Sequence, residues 1–380
     1  MTVIEPDATW IRDSAALEEL GRRLRESDWV AIDTESNSRF VYRERVCLLQ
    51  LACPDGIFLI DTLELPIGPS ALEPLRVSLS DPDQRLYLHG GEYDVACLKR
   101  DYELPLAGVF DSQQAASYLG YERTGYGALV QECLGVELPK EHSQYDWGKR
   151  PIDPAALQYA SDDVRYLHEL CEGLQQEVLA ADLEEEVAIG NATVMGADAH
   201  QTGFDPQGLF RVKGVGRLNG KQLGLAYALY TWRDEAAQAA DSPPGRILPN
   251  DALVQIARIG PTNFGSLKRI RMHPQSLRRY GEQILGCVKT HRHDPPTPPE
   301  PPARREPDPA ERGRESALKA WRRQEAERRQ VTVAVVLPAR ALEYLKKHGP
   351  EADLEQAPQL GAKRIRLYGN RLRQVLRQAD

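Results

Sequence analysis

Asp33 and Glu35 stand one residue apart near the end of an apolar stretch, WVAIDTES (29–36), that predicts a buried β-strand. Alternate residues of a strand point to the same face, so the two carboxylates would lie side by side. Neighbouring like charges raise each other's pKa unless a positive charge separates them. The pair is therefore either a solvated strand end or part of a cation site, and two acids alone do not decide between these readings.

Two other segments carry residues that could complete such a site. Asp94 stands in LHGGEYDVACL (88–98), near the start of a helix predicted after a strand, a common place for active-site residues of α/β proteins. Tyr159 and Asp163 in YASDDVRYL (159–167) are four residues apart and would share one helical face. Each segment also has a structural interpretation: an acid that favours a helix start, and an exposed turn with a packed tyrosine.

The donor types favour a hard divalent cation, because carboxylate oxygens without His or Cys are the usual ligands of Mg²⁺ or Mn²⁺. Two such ions about 4 Å apart can bind the attacking and the leaving oxygen of a phosphodiester. The Tyr159 hydroxyl, one helical turn before the last acid, could orient the nucleophilic water. The four acids predicted to hold the two metal ions are Asp33, Glu35, Asp94 and Asp163.

The elements that must position these residues predict an α/β domain over residues 1–190, with a mixed sheet flanked by helices. An antiparallel meander of three apolar strands comes first, and strand–helix alternation follows. The predicted elements are strands at 29–35, 46–53 and 57–62, a strand at 85–90, a helix at 92–102, a strand at 108–112 and helical patterns to about residue 185.

The second half of the chain is mostly helical and contains a repeat. LYTWRDEAAQ (229–238) is echoed by LKAWRRQEAE (318–327), which places Trp232 and Trp321 at equivalent positions, and further matches share the same offset. We predict two all-α modules at 215–290 and 314–380, joined by a stiff, exposed, proline-rich linker at 291–313.

Composition constrains the class of protein. The chain has 380 residues and a net charge of -8, which divides into -20 for residues 1–190 and +12 for the remainder. A basic half could bind a polyanion, although the acidic excess could equally serve solubility alone. Six cysteines without a CxxC pair favour reduced thiols in the cytoplasm. No apolar run approaches the roughly 18 residues of a membrane helix, so we expect no membrane association.

The motifs resemble a known family of nucleases. Asp33-x-Glu35, Asp94 and Tyr159-x-x-x-Asp163, in this order, resemble the DEDD exonucleases of the tyrosine subtype. The sister subtype has a histidine where this chain has Gln158. Residues 25–180 are similar to bacterial ribonuclease D, as in FDSQQAASYLGY, LVQECLGVELPKEHSQYDWGKRPI and LQYASDDVRYL, and the two repeats resemble HRDC modules.

The resemblance implies a ribonuclease H-like fold and 3′→5′ exoribonuclease activity that releases 5′-mononucleotides, with tRNA precursors as typical substrates. It implies that the four acids bind the metal ions, that Tyr159 positions the water and that Glu35 lies near the terminal 3′-hydroxyl. It also implies a monomer.

Further residues are predicted to contact the substrate. A structural role competes in two cases, since His89 could be a buried histidine and Trp147 a core residue. The predicted contacts are Phe40 or Tyr42 as a wedge against the terminal base, His89 in the groove, Trp147 for stacking, and Lys149 and Arg150 for phosphates.

Two other functions compete with an exoribonuclease. A DNA 3′→5′ exonuclease would use the same site, and only selection for the 2′-hydroxyl would distinguish it. A nucleic-acid-binding adaptor with an inactive nuclease domain is the third possibility. All five catalytic positions are present, which argues against the adaptor.

Overall fold

The computed structural model describes residues 7–65, 68–139, 144–199, 203–302 and 308–379. The chain forms two compact units. The first comprises residues 1–36, 46–200 and 306–380, and the second comprises residues 37–45 and 201–305. Within the described ranges, no helix combines the length and apolarity that crossing a membrane requires.

The first unit is built on a six-stranded mixed sheet with the order β1-β4-β3-β2-β5-β6. The central strands β2, β3 and β4 form an antiparallel meander, β5 and β6 continue parallel to β2, and β1 pairs parallel with β4. The predicted mixed sheet is therefore confirmed, with β1 as an additional edge strand. The strands are β1 Ala8–Ile11, β2 Trp29–Ser36, β3 Val46–Cys53, β4 Gly56–Ile60, β5 Arg85–Leu88 and β6 Val109–Asp111.

Helices cover both faces of this sheet, which explains why β3 is buried along its whole length. Leu49 and Leu51 of β3 belong to the core beneath α1, α2 and α3, whereas Leu48 and Ala52 belong to the core beneath α6 and α7. The helix predicted at 92–102 is confirmed as α3. The helices are α1 Ser14–Arg25, α2 Glu73–Leu79, α3 Glu92–Tyr102, α4 Ser112–Leu119, α5 Tyr126–Leu129, α6 Pro154–Arg165, α7 Leu167–Ala180 and α8 Glu184–Met195.

The predicted repeat is visible in the helix boundaries. Helices α14, α15 and α16 each begin 89 residues after α9, α10 and α11. Each copy has its own core, with a tryptophan–tyrosine edge contact: Trp232 with Tyr280 and Trp321 with Tyr368. The helices are α9 Gly220–Ala239, α10 Pro244–Ile247, α11 Asn250–Ile259, α12 Phe264–Leu267, α13 Pro274–His291, α14 Pro309–Arg329, α15 Val333–Val336, α16 Ala339–His348 and α17 Gly361–Ala379.

The segment predicted as an exposed linker, 291–313, differs from that expectation at both ends. Pro295 and Pro296 pack on α9, where a Cβ at Gly224 would lie 2.7 Å from the Pro296 carbonyl oxygen. At the other end α14 begins at Pro309, capped by the Asp308 carboxylate, which accepts a hydrogen bond from the Ala310 amide. Proline-rich chain therefore serves here partly as packing surface and partly as a helix start.

Candidate active site

Strand β2 carries the first two acids. Its alternation places Asp33 and Glu35 on the face covered by α6, as predicted. The pairing of β2 with β3 shifts register between Glu35 and Ser36. Such irregularities re-aim a side chain at the end of a strand and are common beside active sites. Glu35 is therefore the last residue of β2 before its pairing with β3 becomes irregular.

Helix α6 brings the third acid to this pair. The Asp153 carboxylate caps the helix by accepting a hydrogen bond from the Ala155 amide at 2.9 Å. Two turns later Asp163 faces the sheet. Carboxylate oxygens of Asp33, Glu35 and Asp163 all lie within 4.8 Å of one another. The structure thus assembles three of the four predicted metal ligands from two elements.

Asp94 lies in the first turn of α3, outside the cluster of three acids. Its carboxylate is buried and accepts a hydrogen bond from the Thr34 hydroxyl, which comes from the residue between the two acids of β2. It is nevertheless close enough for its charge to raise the pKa of Asp33. Asp94 therefore borders the cluster, and Thr34 holds one of its oxygens.

The turn that presents α3 depends on Asp111, a residue that the sequence analysis did not single out. The buried Asp111 carboxylate accepts hydrogen bonds from the amides of Gly90 and Gly91 at 3.1 and 2.8 Å. It also caps α4 by accepting from the amides of Gln113 and Gln114. The signal available in the sequence was an Asp between a short strand and a helix, the usual pattern of an N-cap.

The electrostatics of the cluster show what it lacks. Burial is the main cause that raises the pKa of each acid, and the neighbouring carboxylates add to it. The pKa of Asp163 rises to about 8 and that of Asp94 to about 6. Partly buried carboxylates that raise one another's pKa in this way fit a hard divalent cation. The donor set is therefore suited to Mg²⁺ or Mn²⁺.

Tyr159 lies on α6 one turn before Asp163. Burial, and then the charges of Asp163 and Glu35, raise the pKa of its hydroxyl. The phenol therefore keeps its proton at neutral pH. Its ring lies 6.4 Å from the ring of Trp147, which in turn contacts Tyr145 edge-on at 5.0 Å. The position of this tyrosine is thus tied to the segment that precedes α6.

The segment before α6 contains three predicted substrate contacts, Trp147, Lys149 and Arg150, and their environments differ. Trp147 is 2% exposed, so its ring packs in the core and leaves no open face for a base. Lys149 is exposed. The Arg150 guanidinium binds the buried Asp61 carboxylate through two contacts of 2.6 Å and donates to the carbonyls of Trp147, Lys149 and Cys47. All its donors are engaged, so Arg150 holds the chain rather than a phosphate.

His89 and the two wedge candidates also have structural partners. The Ser112 hydroxyl donates to the Leu88 carbonyl, so His89 Nδ1 donates to Ser112 at 2.9 Å. Burial lowers the pKa of His89 to about 4, which keeps the ring neutral at pH 7.

Phe40 and Tyr42 belong to the second unit. The Phe40 ring lies 4.8 Å beneath the Arg246 guanidinium, and the Tyr42 hydroxyl donates to the Asp234 carboxylate at 2.6 Å. Both rings therefore pack against the helical module, and a role of either ring as a wedge stays a prediction.

The last helix, α17, buries two of its basic side chains. Arg364 is 1% exposed and donates to the Val335 and Ala334 carbonyls. Lys363 is buried as well and pairs with Glu186 of α8 at 3.2 Å. Lys363 therefore links the module to α8, and the Arg364 guanidinium also lies 5.9 Å over the Tyr118 ring of α4.

Comparison with known proteins agrees with this architecture. Residues 8–179 match a family described as 3′–5′ exonuclease, and residues 222–288 match the HRDC domain. The chain is 31% identical over 267 residues to ribonuclease D of Gluconacetobacter diazotrophicus, which covers 70% of this chain and 67% of that protein. It is 30% identical over 292 residues to ribonuclease D of Pseudomonas paraeruginosa, 76% of each chain.

Solved structures share the fold. The crystal structure of Escherichia coli RNase D superposes with a TM-score of 0.71 at 23% identity, covering 98% of this chain and 99% of that one. A protein from Bifidobacterium adolescentis superposes with a TM-score of 0.77 at 22% identity over 98% of both chains.

Proposed function

The chain belongs to the ribonuclease D family of 3′–5′ exonucleases, and we propose that it trims structured RNA, with tRNA precursors as its main substrate. The observation that carries this proposal is the cluster of Asp33, Glu35 and Asp163, whose carboxylate oxygens lie within 4.8 Å of one another. Like charges at this spacing repel each other unless a cation lies between them, so the cluster supports a cation-dependent catalytic site.

Each acid of the site has a proposed task. Asp33, Glu35 and Asp163 would bind a divalent cation, and Asp94, fixed by Thr34, would complete the set for a second one. Bound there, divalent cations neutralise charge on the phosphate and make a neighbouring water more acidic.

The reaction needs a positioned water rather than a protein nucleophile. A water oxygen attacks the phosphorus of the last phosphodiester and gives up a proton to solvent. The bond to the 3′-oxygen of the preceding nucleotide breaks, and that oxygen takes up a proton from solvent. Because the Tyr159 phenol keeps its own proton, we assign it to orient the water by hydrogen bonding rather than to abstract a proton. The released product is a nucleoside 5′-monophosphate.

The first helical module offers a surface for the rest of the RNA. Five basic side chains on and around α12 and α13 are exposed: Lys268, Arg269, Arg271, Arg278 and Arg279. If they contact phosphates, log affinity should fall with log salt by roughly 0.7 per contact on single strands. Exchange of Arg278 and Arg279 to alanine should reduce that slope by about 1.4. An unchanged slope would remove this surface from the proposal.

The substrate is tested by direct competition. A tRNA transcript with a 3′ extension, an unstructured RNA of equal length and the matched single-stranded DNA would be digested together, with Mg²⁺ or with Mn²⁺. We expect the tRNA extension to be removed first and the DNA to persist. Preferential loss of the DNA would instead indicate a deoxyribonuclease. We further propose that the protein acts as a monomer in the cytoplasm, in keeping with its free cysteines.

A further inference from the structure

Gln50, in the middle of β3, has a buried side chain without a partner. It is 0% exposed, and neither its amide nitrogen nor its amide oxygen has a hydrogen-bond partner among the described residues. Leaving a buried amide unpaired is unfavourable, so buried amides are almost always satisfied in folded proteins. A buried amide at this position therefore calls for a hydrogen-bond partner close to β3.

The surroundings of Gln50 restrict what this partner can be. Leu48 and Ala52 flank it on the same face of β3, and Ala156 and Ala160 of α6 belong to the same apolar core. None of these side chains can accept or donate a hydrogen bond. Among these four neighbours, the amide meets only hydrocarbon.

Across the strands the situation is different. Gln50 is paired directly with Asp33 in the antiparallel ladder of β3 and β2. Residues paired in this way point to the same face with their Cβ atoms about 4.5–5.5 Å apart, within reach of a long polar side chain. On the other side of β3, Gln50 is paired with Leu59 of β4, which is paired in turn with Trp10 of β1. Trp10 carries the next polar group in this row of paired residues, and it is two strands, or about 10 Å, from Gln50.

We propose that Gln50 is a positioning residue, which donates a hydrogen bond from its amide nitrogen to the Asp33 carboxylate when that carboxylate binds the cation. The inference rests on the proposed function, because it assigns the Asp33 carboxylate to the metal. A carboxylate has two oxygens and several lone pairs. The hydrogen bond from β3 fixes one oxygen, so the other is directed to Glu35 and Asp163, and the Gln50 amide nitrogen gains the partner that it lacks.

The test is a Mn²⁺-binding titration followed by electron paramagnetic resonance, with thermal unfolding in EDTA as a second measurement. Gln50→Met keeps the length of the side chain and removes its hydrogen-bonding groups. We expect Mn²⁺ affinity to fall about 10–100-fold, the usual loss when the partner of a metal ligand is removed. The unfolding temperature in EDTA should stay the same or rise, because an unsatisfied buried amide is replaced by an apolar group.

Trp10→Phe is the matched control, since it removes the other buried unpartnered donor of the same row and should leave Mn²⁺ affinity unchanged. The inference would be overturned if the Gln50→Met variant bound Mn²⁺ with an affinity within twofold of that of the parent. So would a lower unfolding temperature with unchanged affinity, which would show that the amide serves the fold alone. If the parent bound Mn²⁺ no better than Asp33→Ala, the proposed function itself would fail, and this inference with it.

Discussion

The carboxylates of Asp33 and Asp163 approach within 4.8 Å in the interior of the first unit, although one lies on β2 and the other on α6. Packing of α6 on the sheet therefore forces two like charges together. The apolar residues that make this packing favourable also remove the water that would screen the charges. Stability and function are in conflict at this point of the fold.

Neutralising one acid should reveal that conflict. Burial, and then the charges of Asp162 and Asp94, raise the pKa of Asp163 to about 8, whereas an unfolded aspartate titrates near pH 4. The folded state therefore binds an additional proton between these values, and its stability falls as pH rises through this range. In EDTA at pH 8, Asp163→Asn should be more stable than the parent by about 1–3 kcal/mol.

The advantage of Asp163→Asn should shrink toward pH 5, where the folded parent is also protonated. Thermal unfolding at both pH values measures it. Addition of Mg²⁺ should reverse the order, because only the parent retains the complete cluster. A variant that is less stable than the parent in EDTA at pH 8 would contradict the picture of a strained acidic site.

Tyr159→Phe separates catalysis from metal binding. We expect kcat to fall about 10²-fold, because the water loses the group that orients it, while the affinity for Mn²⁺ stays the same. Tyr145→Phe is the matched control, since Tyr145 belongs to the same aromatic group and its hydroxyl accepts a hydrogen bond from the Asp153 amide. It should lower stability slightly and leave kcat unchanged. Equal effects of the two substitutions would assign Tyr159 a packing role.

Arg150 and Lys149 are neighbours with different expected roles. Arg150→Ala leaves the buried Asp61 carboxylate without its cation and should cost about 3–5 kcal/mol of unfolding free energy. Lys149→Ala, at an exposed position, should change stability by about 0.5 kcal/mol or less. Urea denaturation measures both. Lys149→Ala should also weaken RNA binding. If Arg150→Ala were as stable as the parent and bound RNA more weakly, Arg150 would be a phosphate contact after all.

The last module is attached through a buried ion pair. Lys363→Met should destabilise the first unit by about 3–5 kcal/mol, because the Glu186 carboxylate, 2% exposed, loses its cation. The double variant Lys363→Met with Glu186→Leu should recover most of this loss, since an apolar pair of similar volume replaces the ion pair. Limited proteolysis near residue 308 would report detachment of the module. No effect of either substitution would show that other contacts bind it.

The features of the site that could be predicted from the sequence are those governed by local periodicity. Strand alternation placed Asp33 and Glu35 on one face, and helical spacing placed Tyr159 above Asp163. The roles of Gln50 and Arg150 were not readable, because strand register and the position of Asp61 are set by tertiary packing. Tyr42 and Arg364 illustrate the same limit, since an aromatic ring or an arginine has the same appearance in sequence whether it binds RNA or another part of the fold.

The most direct test is digestion of an RNA that is labelled at its 5′ end and carries a free 3′ end, with Mg²⁺ and with EDTA, beside the Asp33→Ala variant. The account predicts a ladder that shortens from the 3′ end one nucleotide at a time, requires the divalent cation and disappears in Asp33→Ala. Cleavage that persists in EDTA or in Asp33→Ala would contradict the proposed role of the carboxylate cluster. Internal fragments without a ladder would contradict an exonuclease.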